Sequence, residues 1–574
     1  MFVKWKCVFA FISLLIPMQL ITAAETPESA ISQEASIVIR LKQPKETLQN
    51  ITELLNQIDE SLTGVITGNL RTFLGRSISN SELAGVDRSR DLYVGVFLNQ
   101  TKQPGLLYVI PASDSQAMQA ALGEKYHFSI HEKWALYSED QSLVEQAVKL
   151  FKSGDQNYQG QMSSQSRDLF AQGDLSIFVN SQKIVQIYQP QLEQAGQKVD
   201  TALTQLSETV NTAPGVNMKP ILAMYSTLAK AALQAVQDSK SYTTIVKAGS
   251  SGVGLESLFE VKENSVTDHL FQTNTPQEFA QLGKFPAGQL AYFAGAGNTD
   301  ALITWGMQFT AQMFDDTKEN AEAKSKFKSI VKEIRNLKFG SYYFSFELGK
   351  LSEGVLNAYT ISEVEPSEAM RKYTREMMSL MQNVSLPGMK QQVTLTPDAE
   401  KIGNETVDLT VIKQEVDPEF DPLQVQKRML EVLYGPAGIT NRMAYPKGKV
   451  LQTMGATASM KKFLDALNAS ADSKLIAQNQ PAFIEARKQG HSQANLLAIV
   501  DVPTSIAQGY NIFAESRQQT ALFSEALLKN QGISASYLTF SLSMGPHALT
   551  TRTYVPVQSL KSGFKMFSMI VGQK

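Results

Sequence analysis

The sequence predicts an α+β fold of two pseudo-repeated halves, each a mainly antiparallel sheet with helices packed on one face, plus long helical hairpins. Three observations predict it. A strand-then-helix pattern occurs four times: "ASIVIRLKQPKETL" from Ala35, "GDLSIFVNSQKIV" from Gly173, "GQLAYFAGAGNTDAL" from Gly288 and "ANLLAIVDVPTSI" from Ala494. The neighbours of these units recur in the same order along the chain. Strands are joined by short turns bearing Gly, Pro or Asn, which favours hairpins over parallel crossovers.

The first element is an export signal. Lys4 and Lys6 precede an apolar run that reaches Ile21, and Thr22-Ala23-Ala24 supplies small residues for cleavage after Ala24. The run falls short of the ~20 apolar residues that a spanning helix needs, and Pro17 interrupts it. No later run approaches that length. The expectation is a periplasmic or secreted protein with no integral membrane span after signal cleavage. Residues 25–34 are polar and read as a tether.

The only cysteine, Cys7, lies inside the signal, so the mature chain has no thiol for a disulfide, a thiolate metal site or a nucleophile. Lys and Arg number 53 against 55 Asp and Glu; without Lys4 and Lys6 the balance is 51 against 55, a charge of −4. That balance gives no basic surplus for nucleic acid and no acidic excess for disorder.

The halves span residues 35–272 and 284–574. Ile37 matches Leu290, Asp91 matches Ser341 and Met118 matches Met370, at offsets of 250 to 253. Beyond these the offset jumps: Ser142 falls opposite Ser459, Leu175 opposite Leu496 and Leu255 opposite Leu538. The second half therefore carries an insertion, placed near 413–448, and the first half carries extra residues between Leu175 and Leu255. "DLYVGVFLNQTKQPGLLYVI" and "SYYFSFELGKLSEGVLNAYTI" read as equivalent hairpins. The strand "YLTFSLSM" alternates, with Leu538, Phe540, Leu542 and Met544 on one side and Tyr537, Thr539, Ser541 and Ser543 on the other. Such a sheet keeps one face under helices and leaves the other wet or free for a partner.

The helical additions follow the 3.6-residue period. Residues 183–240 predict a helical hairpin broken at "NTAPGVN", with Ile221, Met224, Tyr225, Leu228 and Val236 on its second arm. Residues 299–338 predict another, whose second arm buries Phe327, Ile330, Val331, Ile334 and Leu337.

Chemistry-bearing motifs are sparse. His127 and His131 lie in a predicted strand, about 13 Å apart at strand rise, too far to share one metal. Ser459 and Lys462 spell S-x-x-K, the nucleophile motif of the penicillin-recognising enzymes, in which the Lys activates the Ser. The same spacing recurs at Ser325/Lys328, Ser329/Lys332 and Ser562/Lys565, and no S-D-N element follows. Asp417, Glu419 and Asp421 alternate in "EVDPEFDPLQ", which suits a calcium loop but also fits Asp421 as a helix cap with Pro422 first in the helix. "GAGNTD" and "GSSGVG" fall short of a dinucleotide fingerprint, and no phosphate-binding P-loop is present. No cofactor is expected.

The units "GQLAYFAGAGNTDAL" and "SEDQSLVEQAVKLF" resemble those of exported bacterial proteins with a domain of unknown function, frequent in planctomycetes and cyanobacteria. The resemblance implies an exported α+β architecture and no catalytic residues. The sequence thus leads to a non-enzymatic binding or scaffold protein of the cell envelope, whose partner is an envelope protein or an apolar ligand. Residues 183–240 and 413–448 are the expected working surfaces. The alternatives are a serine hydrolase using Ser459 and Lys462, or a carrier of an apolar ligand.

Overall fold

The computed structural model describes residues 26–100, 103–154, 156–210, 219–298, 318–381, 389–419, 421, 424–455 and 458–572. The predicted export signal, with Cys7, lies outside the described residues. The chain forms two compact units, one running to Pro44 and from Thr72 to Arg167, the other comprising Lys45–Arg71 and everything from Asp168.

In the first unit five strands form one antiparallel sheet: β1 (Ile37–Leu41), β2 (Leu92–Phe97), β3 (Gly105–Pro111), β4 (His127–His131) and β5 (Trp134–Ser138). Their neighbour order is β1-β2-β3-β5-β4. Tyr108 and Tyr137 stack at 4.8 Å in the core, beside the buried Ile110 and Met118. Asp114 and Asp140 cap the two helices that follow β3 and β5, each accepting a backbone N–H of the first turn. Ser142 is the second residue of its helix and donates its hydroxyl to Asp140, so the cap lies two residues before the matched serine.

The second unit is built on thirteen described strands: β6 (Leu175–Val179), β7 (Ser239–Gly249), β8 (Gly252–Val261), β9 (Ala291–Gly295), β10 (Lys338–Leu348), β11 (Leu356–Glu365), β12 (Met389–Ile402), β13 (Glu405–Val416), β14 (Ile439–Ala444), β15 (Lys449–Met454), β16 (Leu496–Asp501), β17 (Tyr537–Gly545) and β18 (Ala548–Pro556). Every pairing among them is antiparallel, and the order is β6-β7-β8-β18-β17-β16-β9-β10-β11-β15-β14-β13-β12. The molecule is therefore α+β with a large antiparallel sheet. β9, β10, β11, β15 and β14 follow one another as β1, β2, β3, β5 and β4 do. β6-β7-β8 and β16-β17-β18 each run in chain order, and they meet where β8 pairs with β18.

The hairpin β12–β13 extends the sheet beyond β14. β12 is the last strand on that side among the described residues. Pro397, and a register shift between Thr396 and Glu400, interrupt its ladder, which blunts an edge that would otherwise recruit another strand.

Helices and short turns cover one face of the central strands, while the helices Lys318–Ile334 and Ser367–Met381 pack on the other face further along, at Val364 and Val450. Phe463 and Leu464 from the helix Met460–Leu467, Phe483 and Ala486 from the helix Pro481–Gln489, and Phe285 pack on Tyr292, Tyr359, Leu497, Ile499 and Tyr537. Phe463 is fully buried, 5.3 Å from Phe285 and 5.4 Å from Tyr359 between ring centres. Each such side chain contributes about 1.5–3 kcal/mol on burial.

Individual helices occupy part of the two predicted helical stretches. The helix Ser181–Val210 bends at Tyr188, next to Pro190, because proline removes a backbone donor and crowds the preceding turn. The helix Lys219–Asp238 buries Leu222 but leaves Tyr225, Leu228 and Val236 exposed, so the spacing misplaced its buried stripe. Its predicted break, "NTAPGVN", lies outside the described residues. On the helix Lys318–Ile334 and just after it, Phe327, Ile330, Val331, Ile334 and Leu337 are all buried. The first arm of that predicted hairpin, up to residue 317, lies outside the described residues.

Candidate binding face

Alternation on β17 separates two sides, and the side under the helices is the polar one. Tyr537, Thr539 and Ser541 are buried, while Leu538, Phe540 and Leu542 are only half-covered. The small hydroxyls hold down the covering elements: Thr539 Oγ1 donates to the carbonyl of Ala486 at 2.9 Å, near the end of its helix. Ser541 Oγ accepts the backbone N–H of His491 at 3.0 Å. Ser176 Oγ donates to the Phe170 carbonyl at 2.6 Å in the same way. Each bond supplies a partner that a buried backbone group would otherwise lack.

Register carries the other side across neighbouring strands. Phe540 lies opposite Ala498, Ala498 opposite Phe293, and Phe293 opposite Phe344. Towards the other flank, Leu542 pairs with Thr551, Thr551 with Ser257, and Ser257 with Thr244, which faces Ile177. Phe293 and Phe344 approach to 5.9 Å, and Phe344 and Phe346 to 6.0 Å. Tyr342 is 47% exposed, Leu255 43% and Leu496 42% on this side, and none of the residues named on it is charged. Isolated exposed apolar residues are ordinary, whereas uncharged, half-covered residues that follow one another across neighbouring strands are less so.

The sequence-predicted residues lie apart from this face. Ser459 is the N-cap of the helix Met460–Leu467, and its Oγ accepts the backbone N–H of Lys462 at 3.2 Å. Lys462 Nζ bonds both carboxylate oxygens of Glu347 at 2.9 Å and lies 5.6 Å from the centre of the Tyr359 ring. Tyr359 and Gln289 donate to the same carboxylate at 2.7 and 3.0 Å. Burial pushes the Glu347 carboxyl up, but the donors Lys462, Tyr359 and Gln289 outweigh it and hold the group below its ordinary range. An ammonium fixed on a carboxylate has no lone pair with which to activate a serine, so Ser459 serves as a cap. Ser459→Ala is expected to cost about 1 kcal/mol of stability by the loss of that cap, read as a shifted urea midpoint. A fluorophosphonate probe should label wild type and variant alike, without a Ser459 adduct.

Asp417, Glu419 and Asp421 form a chain of local turns. Asp417 Oδ1 accepts the Glu419 N–H at 2.9 Å, and the Asp417 carbonyl accepts the Asp421 N–H at 3.1 Å. Asp421 spends both carboxylate oxygens on backbone, accepting Val425 N–H at 2.8 Å and Lys427 N–H at 3.0 Å. Those donors, Lys427 first, hold its carboxyl below the ordinary range. The helix starts at Val425 behind a left-handed Gln424, so Asp421 caps it from further back than an N-cap. Pro422 lies outside the described residues. Among the described residues no group of three or more His, Cys, Asp or Glu is arranged to hold a metal.

Sequence reasoning missed the pair His491–Ser541, whose Nδ1 and Oγ are 2.8 Å apart. Ser541 is fully buried, so the pair fastens the covering helix to β17 and has no access to a substrate. Burial first, and the Arg552 charge next, push the imidazole pKa below its ordinary value and favour the neutral ring. The open face was legible only in part. Alternation separates two sides of a strand but does not say which side helices will take.

No helix among the described residues is long and apolar enough to cross a membrane. No protein-family model matches the chain, and a comparison with curated proteins finds no match. Among solved structures, crystal forms III, IV and I of TP0453 align at 12%, 12% and 9% identity. They cover 50%, 51% and 50% of this chain and 97%, 96% and 96% of theirs, with TM-scores of 0.20, 0.21 and 0.21. Likeness at that level supports no conclusion about fold or function.

Proposed function

We propose that this chain is an exported, non-enzymatic binding protein of the bacterial cell envelope, and that its ligand is an apolar molecule of the acyl-chain type. The single observation that supports the reading is the burial of β17, with Tyr537, Thr539 and Ser541 under the helices and uncharged aliphatic and aromatic residues of β17 and its neighbours half-open on the other side. Half-covering large apolar side chains forfeits about 25 cal/mol for each Å² left in water, a cost that a bound apolar surface recovers. The absence of charge among the named residues disfavours nucleic acid and ionic partners.

The same reading takes the chain as two descendants of one module, residues 35–272 and 284–574. The recurrence of one neighbour order in β1-β2-β3-β5-β4 and β9-β10-β11-β15-β14, and in β6-β7-β8 and β16-β17-β18, supports it. Strand order also moves one landmark. β17 takes the place of β7, so Leu538 corresponds to the β7 strand, and Leu255 in β8 corresponds to β18.

Native mass spectrometry of the exported protein tests the ligand. Wild type should carry a co-purified lipid-sized mass, and Phe344→Lys should lose it while keeping the circular dichroism of wild type. A ligand-free wild type that dimerises through this face, or a Phe344→Lys variant that keeps the mass, would overturn the proposal.

A further inference from the structure

The opposite, helix-covered side of the sheet contains a second kind of opening. Between the ends of the helices Ser164–Gln172 and Pro481–Gln489 and the strands β7, β8 and β18 lies a cavity of about 420 Å³. Its rim includes the turn "GSSGVG", residues 249–254, and the side chains Lys247, Lys488, Arg552, Glu256 and Tyr554. The three cations face one carboxylate. Arg552 pairs with Glu256 at 2.7 Å, Lys247 reaches only the neutral Gln172 at 3.0 Å, and Lys488 meets Glu485 at 3.8 Å on the exposed surface.

Gly254 distinguishes this cavity from an accidental gap. Glycine inside a strand weakens it, and the usual reasons are a bulge, a bend, or close approach of another backbone or a ligand. Here the register runs without a shift from Lys247 through Gly254 to Tyr554. A Cβ at Gly254 would meet only a Tyr554 ring carbon, at 3.9 Å. Gly252 differs, because its Cβ would fall 2.3 Å from the Val555 carbonyl and its φ is +149°. Packing therefore requires Gly252 and does not require Gly254. What Gly254 leaves is floor space beside the Tyr554 ring.

We propose that this cavity binds a small molecule bearing a phosphate or carboxylate on a flat, apolar body. The body lies over Gly254 against Tyr554, and the anion sits among Lys247, Lys488 and Arg552, where a guanidinium and ammonium groups donate charge-assisted bonds. The site lies on the opposite side of the sheet from the apolar face and does not depend on it.

Calorimetric titration of the full mature chain tests the inference with phenyl phosphate, benzoate and the neutral benzyl alcohol. The two anions should bind and the alcohol should not. Gly254→Val fills the floor with a residue that suits a strand, and should weaken anion binding at least tenfold with an unchanged melting midpoint. The double variant Arg552→Gln with Glu256→Gln removes the ion pair without stranding a charge, and should weaken it similarly. Silence with both anions, equal binding of the alcohol, or undiminished binding by Gly254→Val would each overturn the assignment.

Discussion

Replacing Asp408 with alanine is expected to cost about 3–5 kcal/mol, enough to unfold the β12–β14 end of the sheet at moderate urea. Asp408 is 3% exposed. It takes a two-pronged bond from Arg375, Nε to Oδ2 at 2.8 Å and Nη2 to Oδ1 at 2.6 Å, and accepts the Asp398 backbone N–H at 3.0 Å. Arg371 adds a second guanidinium at 3.6 Å. The pair ties the helix Ser367–Met381 to the β12–β13 hairpin; alanine would strip Arg375 of its two-pronged acceptor, leaving it Asp398 Oδ1 at 2.9 Å, and would leave the Asp398 N–H without its acceptor. The expected magnitude measures that stranding, so removing both partners should be far milder. Arg375→Met with Asp408→Leu is expected to regain most of the loss. If Asp408→Ala shifts the urea midpoint no more than the double variant does, the pair is not what holds this end.

The same carboxylate predicts an acid response. Burial raises the Asp408 pKa, but the Arg375 bonds and the Asp398 N–H lower it further, and the net shift is downward. A carboxyl depressed by folding stabilises the folded state above its unfolded pKa, near 3.9, and loses that contribution as pH falls through the folded value. The stability curves of wild type and Asp408→Ala should therefore converge below about pH 4 and separate above it.

Local patterns read well in this chain where a single element decides the outcome. The spacing of Phe327, Ile330, Val331, Ile334 and Leu337 named a buried helical stripe, and all five are buried. The alternation of "YLTFSLSM" separated two sides of a strand correctly. Failures began where a second element, distant in sequence, chose between equivalent options. Lys462 is three residues from Ser459 and suggests a dyad, yet the residue that claims its charge is Glu347, on another strand. Tyr225 and Leu228 keep helical spacing but are more than half exposed. The polar side of β17 became the inside because Ala486 and His491 bring backbone groups that need hydroxyl partners. Strand order, likewise, depends on the β8–β18 pairing, which joins segments nearly 300 residues apart.

Two adjacent residues on β17 turn that inversion into opposite expected outcomes. Thr539 is fully buried, and its hydroxyl donates to the Ala486 carbonyl. Thr539→Asp would bury an acceptor-only carboxylate against a carbonyl oxygen. Several kcal/mol of desolvation and lost hydrogen bonding should leave the variant unfolded or insoluble. Phe540→Asp, one residue on, puts its charge on the half-open side, where water reaches it. That variant should keep wild-type circular dichroism, lose only a modest part of its thermal midpoint, and release the co-purified apolar ligand. Hydropathy alone ranks the two substitutions the other way, since exchanging a phenylalanine for aspartate is the larger change. A soluble, folded Thr539→Asp beside a collapsed Phe540→Asp would therefore show that the apolar side is the structural core and that the proposed binding face does not exist.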